Sequence, residues 1–169
     1  MGTWSDYRNG FGDLESDHWL GLEAFHHLTN QGNYSLMTEV RDNLTSTYFS
    51  DIHVDFRVGP EKEGYILYEF PLGDGNLTSS AEDQWYINYD MMFSAYDKDQ
   101  DTTSTSNCAA TFGGGWWYRA CTLVSLTGQT THCTSGCYAY FKHNGVPFGG
   151  NGSDDILLNF AVMKIKKIG

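Results

Sequence analysis

Three carboxylates at alternate positions, Asp97, Asp99 and Asp101, are the side chains of this chain whose spacing most clearly suggests chemistry. A Thr/Ser run follows at 102–106, then Cys108, three glycines at 113–115, Trp116, Trp117 and Cys121. Alternating Asp in a loop brings hard oxygen ligands together from one side, which is what Ca²⁺ requires. The Thr/Ser run adds backbone carbonyls without bulk. Cys108 and Cys121 can close the loop beside that site and fix its shape. Metal loop, cross-link and aromatic wall together describe a rigid recognition surface. Hydrolytic chemistry finds no comparable support: Glu/Asp pairs exist, but there is no Ser-His-Asp order, HExxH or G-x-S-x-G, so the chain reads as a non-enzyme. His26-His27 has no carboxylate partner at a catalytic or metal-site spacing and reads as a partly exposed helix end.

Four cysteines, Cys108, Cys121, Cys133 and Cys137, allow three pairings. Nearest-neighbour pairing, 108–121 and 133–137, leaves two short loops and is the pairing expected. Cys133 and Cys137 with His132 form the alternative, a metal set. No second CxxC or His pair stands at zinc-like spacing, so a disulfide is favoured. Sequons at Asn33, Asn43, Asn76 and Asn151 add to the disulfides in pointing to a secreted glycoprotein. Met1-Gly2 runs directly into Thr3-Trp4 without a signal peptide, so the expectation is a mature or recombinant piece. No run of 18 apolar residues suggests a membrane span.

The 169 residues are 40% hydrophobic and 15% aromatic, only 18% charged, and include 19 glycines. That is the profile of a loop-rich β or α+β domain with an aromatic core. The net charge of −11 argues against nucleic acid, whose phosphates need Lys and Arg. It suits solubility or cation binding.

These residues need elements to hold them. Thr3-Trp4-Ser5-Asp6-Tyr7 predicts a helix start capped by Thr3 or Ser5 and ended by Gly10 and Gly12. Leu20–Leu28 predicts a second short helix with Leu20, Ala24 and Leu28 on one face. From Tyr34 the period becomes two: Tyr34, Leu36, Thr38 and Val40 alternate with polar neighbours and Met37. Thr47–Val58 alternates again through Tyr48, Ile52, Val54, Phe56 and Val58. Tyr65–Phe70 predicts a third strand. Ile156–Ile165 predicts a closing strand, with Leu158, Phe160 and Val162 or their alternates inward. Asp42-Asn43, Gly59-Pro60 and Pro71–Gly75 mark turns. Residues 74–151 read as a loop-built half mounted on a sheet-built half. There are no repeats and no linker, so residues 1–169 form one domain.

TWSDYRNGFG, HWLGLEAFHHLT, NYSLMTEVRD, MMFSAYDKDQD, NCAATFGGGWWYRAC and the final MKIK resemble the fibrinogen C-terminal globular domain, shared by ficolins, tachylectins and angiopoietins. The resemblance runs from Thr3 to Lys166. It implies an α+β fold: a twisted antiparallel sheet, short flanking helices, and a loop-rich subdomain carrying Ca²⁺ and a ligand pocket. By the same resemblance Asp99 and Asp101 supply side-chain ligands, and Thr103 and Thr105 backbone carbonyls, with Asp97 outside the coordination sphere. The pocket would comprise Phe112, Ala120, Cys121, Thr122 and Tyr138, with a cis bond at Ala120-Cys121. The function implied is that of a secreted calcium-dependent pattern-recognition lectin of innate immunity, binding acetylated glycans on microbial surfaces. The alternative is a protein–protein module of the fibrin or angiopoietin kind. Neither membrane nor nucleic acid is an expected partner, and any oligomer would form through segments outside this chain. Three departures stand out. Thr122 replaces the usual His after the second Cys. The region 130–155 carries an extra Cys pair and lacks the usual Trp-rich run. The sequence begins after the family's N-terminal subdomain, so the expectation is either a piece that leaves that part outside or a shortened member.

Overall fold

The computed structural model describes residues 1–43, 45–77, 84–128, 140–142 and 155–169. The Cys133–Cys137 pairing, Tyr138 and the Asn151 sequon lie outside the described residues.

Helix α1, Trp4–Asn9, is capped by Thr3. The Thr3 hydroxyl accepts from Asp6 N at 3.2 Å, and the Asp6 carboxylate accepts from Thr3 N at 2.8 Å. Two donors that the helix leaves open are thereby satisfied. A short ribbon of β1, Phe11–Gly12, and β2, His18–Trp19, leads to α2, Leu22–Thr29. The buried residues of α2 are Leu22, Phe25 and Thr29. The expected Leu20/Ala24/Leu28 stripe is thus offset, with Leu20 exposed before the helix begins. Gly21 explains the offset. Its φ of +104° starts the helix at Leu22, and a Cβ there would lie 2.9 Å from the Asn9 carbonyl carbon. Only glycine lets α2 cross the end of α1 this closely.

The main sheet contains β3 (Tyr34–Asp42), β4 (Tyr48–His53), β5 (Asp74–Gly75), β6 (Val124–Ser125), β7 (Tyr140–Lys142) and β8 (Asp155–Lys167). The strand order is β5-β4-β3-β8-β7-β6, antiparallel throughout. Strand β3 buries Leu36, Thr38 and Val40, as its alternation predicts. Its register then decides which face of each neighbour is inward. Leu36, Thr38 and Val40 stand opposite His53, Asp51 and Phe49 of β4. Asp51 and His53 are therefore buried, while Tyr48 and Ile52 face solvent. The alternation through Tyr48 and Ile52 thus marks the outward face of β4. Asp51 and His53 are each tied to a distant turn: Leu77 N donates to Asp51, and His53 Nδ1 donates to Pro71 O. Asp55 adopts a left-handed φ of +59° and resets the alternation, so Phe56 and Val58 are buried as expected.

On β8 the pairing shifts between Arg41 and Asp42, which oppose Phe160 and Leu158 and skip Asn159. One extra residue reverses the inward parity. Leu158 is buried before the bulge, and Ala161, Met163 and Ile165 pack on the core after it. Phe160 is left exposed. Tyr65–Phe70 is not a strand of this sheet. Leu67 spends its N–H on Met91 O and its carbonyl on Asp90 N, and one bridge links it to Val58. The segment stitches the sheet half to the loop half.

Between those halves sits the core, with Trp85, Trp116, Trp117, Tyr65, Tyr118, Phe93 and Phe56 fully buried. Among the described residues no helix is long and apolar enough to cross a membrane.

Candidate functional site

The calcium-type loop is tied down at both ends. Asp97 turns away from the other two aspartates and accepts from Trp4 N at 2.7 Å, anchoring α1 to the loop. Lys98 Nζ lies 3.6 Å above the centre of the Trp4 ring. Asp101 is held at the other end. One carboxylate oxygen accepts from Thr103 N at 2.7 Å and Thr103 Oγ1 at 2.9 Å, and the other accepts from Cys108 N at 2.8 Å. A carboxylate offers about four acceptor positions, so Asp101 is oriented with one to spare. Among the described residues Asp99 accepts one bond, from Asp101 N at 3.2 Å.

Partial desolvation raises the carboxyl of the exposed Asp99 above its ordinary value. The Asp101 N–H works against that rise, and the Asp101 charge adds to it. Two crowded carboxylates, one of them only lightly hydrogen-bonded, suit a hard divalent cation. Among the described residues no group of three or more His, Cys, Asp and Glu could hold a metal. An ion here would rest on Asp99 and Asp101, completed by carbonyls such as those of Thr103 and Thr105, and by water.

Helix α3, Cys108–Phe112, follows directly. Asn107 caps it by accepting from Ala110 N at 2.8 Å, and Cys108 is joined to Cys121 with their Cα atoms 5.6 Å apart. The expected 108–121 disulfide is present, and the Ala120-Cys121 bond is cis. Ala120 is exposed and Cys121 half-buried. Thr102 links this turn to the acidic loop. Both its N–H and its hydroxyl donate to Arg119 O, at 2.8 and 2.9 Å. Loop and turn are thus joined by the Thr102 bonds, the Asp101–Cys108 bond and the disulfide.

Two expected pocket residues point inward. Phe112 is 4% exposed and stacks on Tyr118 with ring centres 5.8 Å apart. Thr122 is 4% exposed; its hydroxyl donates to Val124 O and accepts from Asn88 Nδ2, both at 2.7 Å. The pair is part of the floor beneath the turn. Phe112→Ala should therefore reduce fold stability by about 3–5 kcal/mol, read as a lowered urea midpoint, rather than acting on binding alone. Sequence reasoning did not single out Thr102, Asn88 or Arg119. Thr102 lay unremarked in the Thr/Ser run, and nothing in local spacing marks Asn88.

His26 and His27 stay outside the site, at the end of α2. His27 does meet a carboxylate, Glu23 one turn earlier at 2.9 Å, but as a solvent-exposed pair.

An α+β domain whose acidic loop is cross-linked to an exposed turn has the build of a binding module. The chain belongs to the fibrinogen C-terminal globular domain family: the profile described as fibrinogen beta and gamma chains, C-terminal globular domain, matches residues 1–168. It is 34% identical to fibrinogen-like protein A of Apostichopus parvimensis, over 97% of this chain and 54% of that protein. It is 35% identical to the human fibrinogen alpha chain, over 98% of this chain and 20% of that protein. The chain thus spans about half or less of these curated relatives. Among solved structures it resembles the fibrinogen-like globe domain of human ANGPTL2, with a TM-score of 0.79 and 32% identity. That match covers 98% of this chain and 73% of the other. The lamprey fibrin D-dimer, solved with the peptide Gly-His-Arg-Pro-amide, shares the fold at a TM-score of 0.71 and 24% identity, over 97% of this chain and 56% of that one.

Proposed function

We propose that this chain is the calcium-dependent recognition domain of a secreted protein, taking the acetyl group of a microbial surface glycan at the turn Arg119–Cys121. The observation that carries this reading is the pair of hydrogen bonds from Thr102 to Arg119 O. It makes the shape of the turn depend on the order of the acidic loop. Bound at Asp99 and Asp101, Ca²⁺ would neutralise two crowded carboxylates. The residues around them then do the rest: Asp101 orients Cys108, and Thr102 holds Arg119. Secretion is supported by the disulfide and the sequons, and a binding rather than catalytic role by the absence of a hydrolase motif.

A peptidoglycan pull-down tests the reading. Binding should fall in EDTA and be competed by N-acetylglucosamine and acetate but not by glucose. Equal competition by glucose would remove the acetyl group from the account. A protein partner would then be the better one, a reading favoured by the inward Phe112 and Thr122, which among the described pocket residues leave Ala120 and Cys121 at the rim. Thr102→Val removes one of the two bonds to Arg119 O. It should weaken ligand binding by about 1 kcal/mol, roughly fivefold, while calorimetric calcium affinity stays unchanged.

A further inference from the structure

A concave site lies apart from the acidic loop. A cleft of about 460 Å³ opens between the end of α2, the start of β3 and the paired segments 55–58 and 66–69, lined by Asn30, Tyr34, Asp55, Arg57, Tyr68 and Glu69 among others. Its side chains are placed by the backbone. Phe56 is buried, and its N–H donates to Tyr34 O at 2.9 Å. With Phe56 anchored in the core, Asp55 and Arg57 on either side of it remain exposed and line the cleft. Asp55 holds its left-handed φ of +59° there, a conformation uncommon for residues other than Gly, Asn and Asp.

The aromatic part is held as firmly. Arg57 lies over the Tyr68 ring, 4.7 Å from its centre, and the Tyr68 hydroxyl donates to Glu63 at 3.0 Å. Asn30 spends its amide N–H groups on His26 O and Val58 O, both at 2.8 Å, which leaves its oxygen to accept. Among the described residues none of Asp55, Arg57 and Glu69 is ion-paired with another.

This lining selects a chemistry. An anion would meet Asp55 and Glu69 on a chain of net charge −11, and a simple cation would meet Arg57. A neutral polyhydroxyl ring satisfies both signs. Neighbouring hydroxyls donate to a carboxylate and accept from a guanidinium that the Tyr68 ring holds in place. The geometry points to a second, calcium-independent subsite for a neutral saccharide, with Asp55 and Arg57 as its principal polar contacts.

The test is an array of uncharged, non-acetylated glucose, mannose and galactose oligosaccharides probed in EDTA with the wild-type chain, Asp55→Asn and Arg57→Met. Asn tolerates the left-handed backbone, and Met keeps an apolar stem over Tyr68. Thermal melting establishes that each variant folds; should Arg57→Met not fold, Asp55→Asn decides alone. The expected result is retention of at least one oligosaccharide in EDTA, with binding at least tenfold weaker in the variants. No oligosaccharide retained in EDTA, or equal retention by folded variants, overturns the subsite. Calcium-dependent, acetate-competed binding should be the same in wild type and Asp55→Asn, so failure at one site does not read as failure at the other.

Discussion

Trp117→Ala should lower the stability of this domain by about 3–5 kcal/mol, the range for removing a large aromatic from a packed core. For a chain of this size that shifts the thermal midpoint by about 6–20 °C. Trp117 is fully buried, with its ring 5.1 Å from Phe93 and 5.2 Å from Trp116, both edge-on. Its indole N–H also donates to Tyr65 O at 2.7 Å. Tyr65 has a left-handed φ of +51° and carries the chain from the sheet half into the loop half. Trp117→Phe separates the two contributions, because it keeps an aromatic in place but leaves the Tyr65 carbonyl without its donor. It should fall between wild type and alanine in calorimetric midpoint. A Trp117→Ala protein melting within a degree or two of wild type would show that the two halves do not share one core.

What the sequence discloses here is local chemistry, and what it hides is set by long-range register. The alternation of β3 is legible because both its neighbours are full strands and its inward face is consistently filled. Strand β4 carries an equally clear apolar alternation of the opposite sense. It is overruled because Asp51 and His53 stand opposite inward β3 residues and find partners in Leu77 and Pro71, more than fifteen residues away. The bulge at Asn159 is hidden for the same reason: nothing in the run Leu158–Val162 says that one residue will be skipped. At the candidate site the carboxylate spacing is readable from residue types, and the 108–121 pairing from loop shortness and the family resemblance. The inward turn of Phe112 and Thr122 is not, since Tyr118 and Asn88 impose it from other segments.

Asp99 and Asp101 should respond to substitution in opposite ways, although both would hold the same ion. In EDTA at neutral pH, Asp101→Ala should lose about 2–4 kcal/mol, because Cys108 N and Thr103 lose the acceptor that fixes the start of α3. Asp99→Asn should be neutral or slightly stabilising under the same conditions. It removes a carboxylate whose charged form is disfavoured by partial desolvation and by Asp101, while keeping an acceptor for Asp101 N. The sign follows from linkage. A carboxyl raised in the folded state contributes stability below its unfolded pKa, and that contribution is lost as pH rises through the folded value. The advantage of Asp99→Asn should therefore shrink as the solution is acidified. Calcium reverses the order of wild type and Asp99→Asn. Wild type should gain about 2.7 kcal/mol at a hundredfold excess over the dissociation constant, and neither variant should gain appreciably. Because proton and metal compete for Asp99, wild-type calcium affinity should begin to fall at a higher pH than an ordinary carboxylate would give. Melting curves of the three proteins with calcium and with EDTA at two pH values decide the matter. If Asp99→Asn is destabilised in EDTA as much as Asp101→Ala, the two carboxylates form a structural pair and the loop needs no cation.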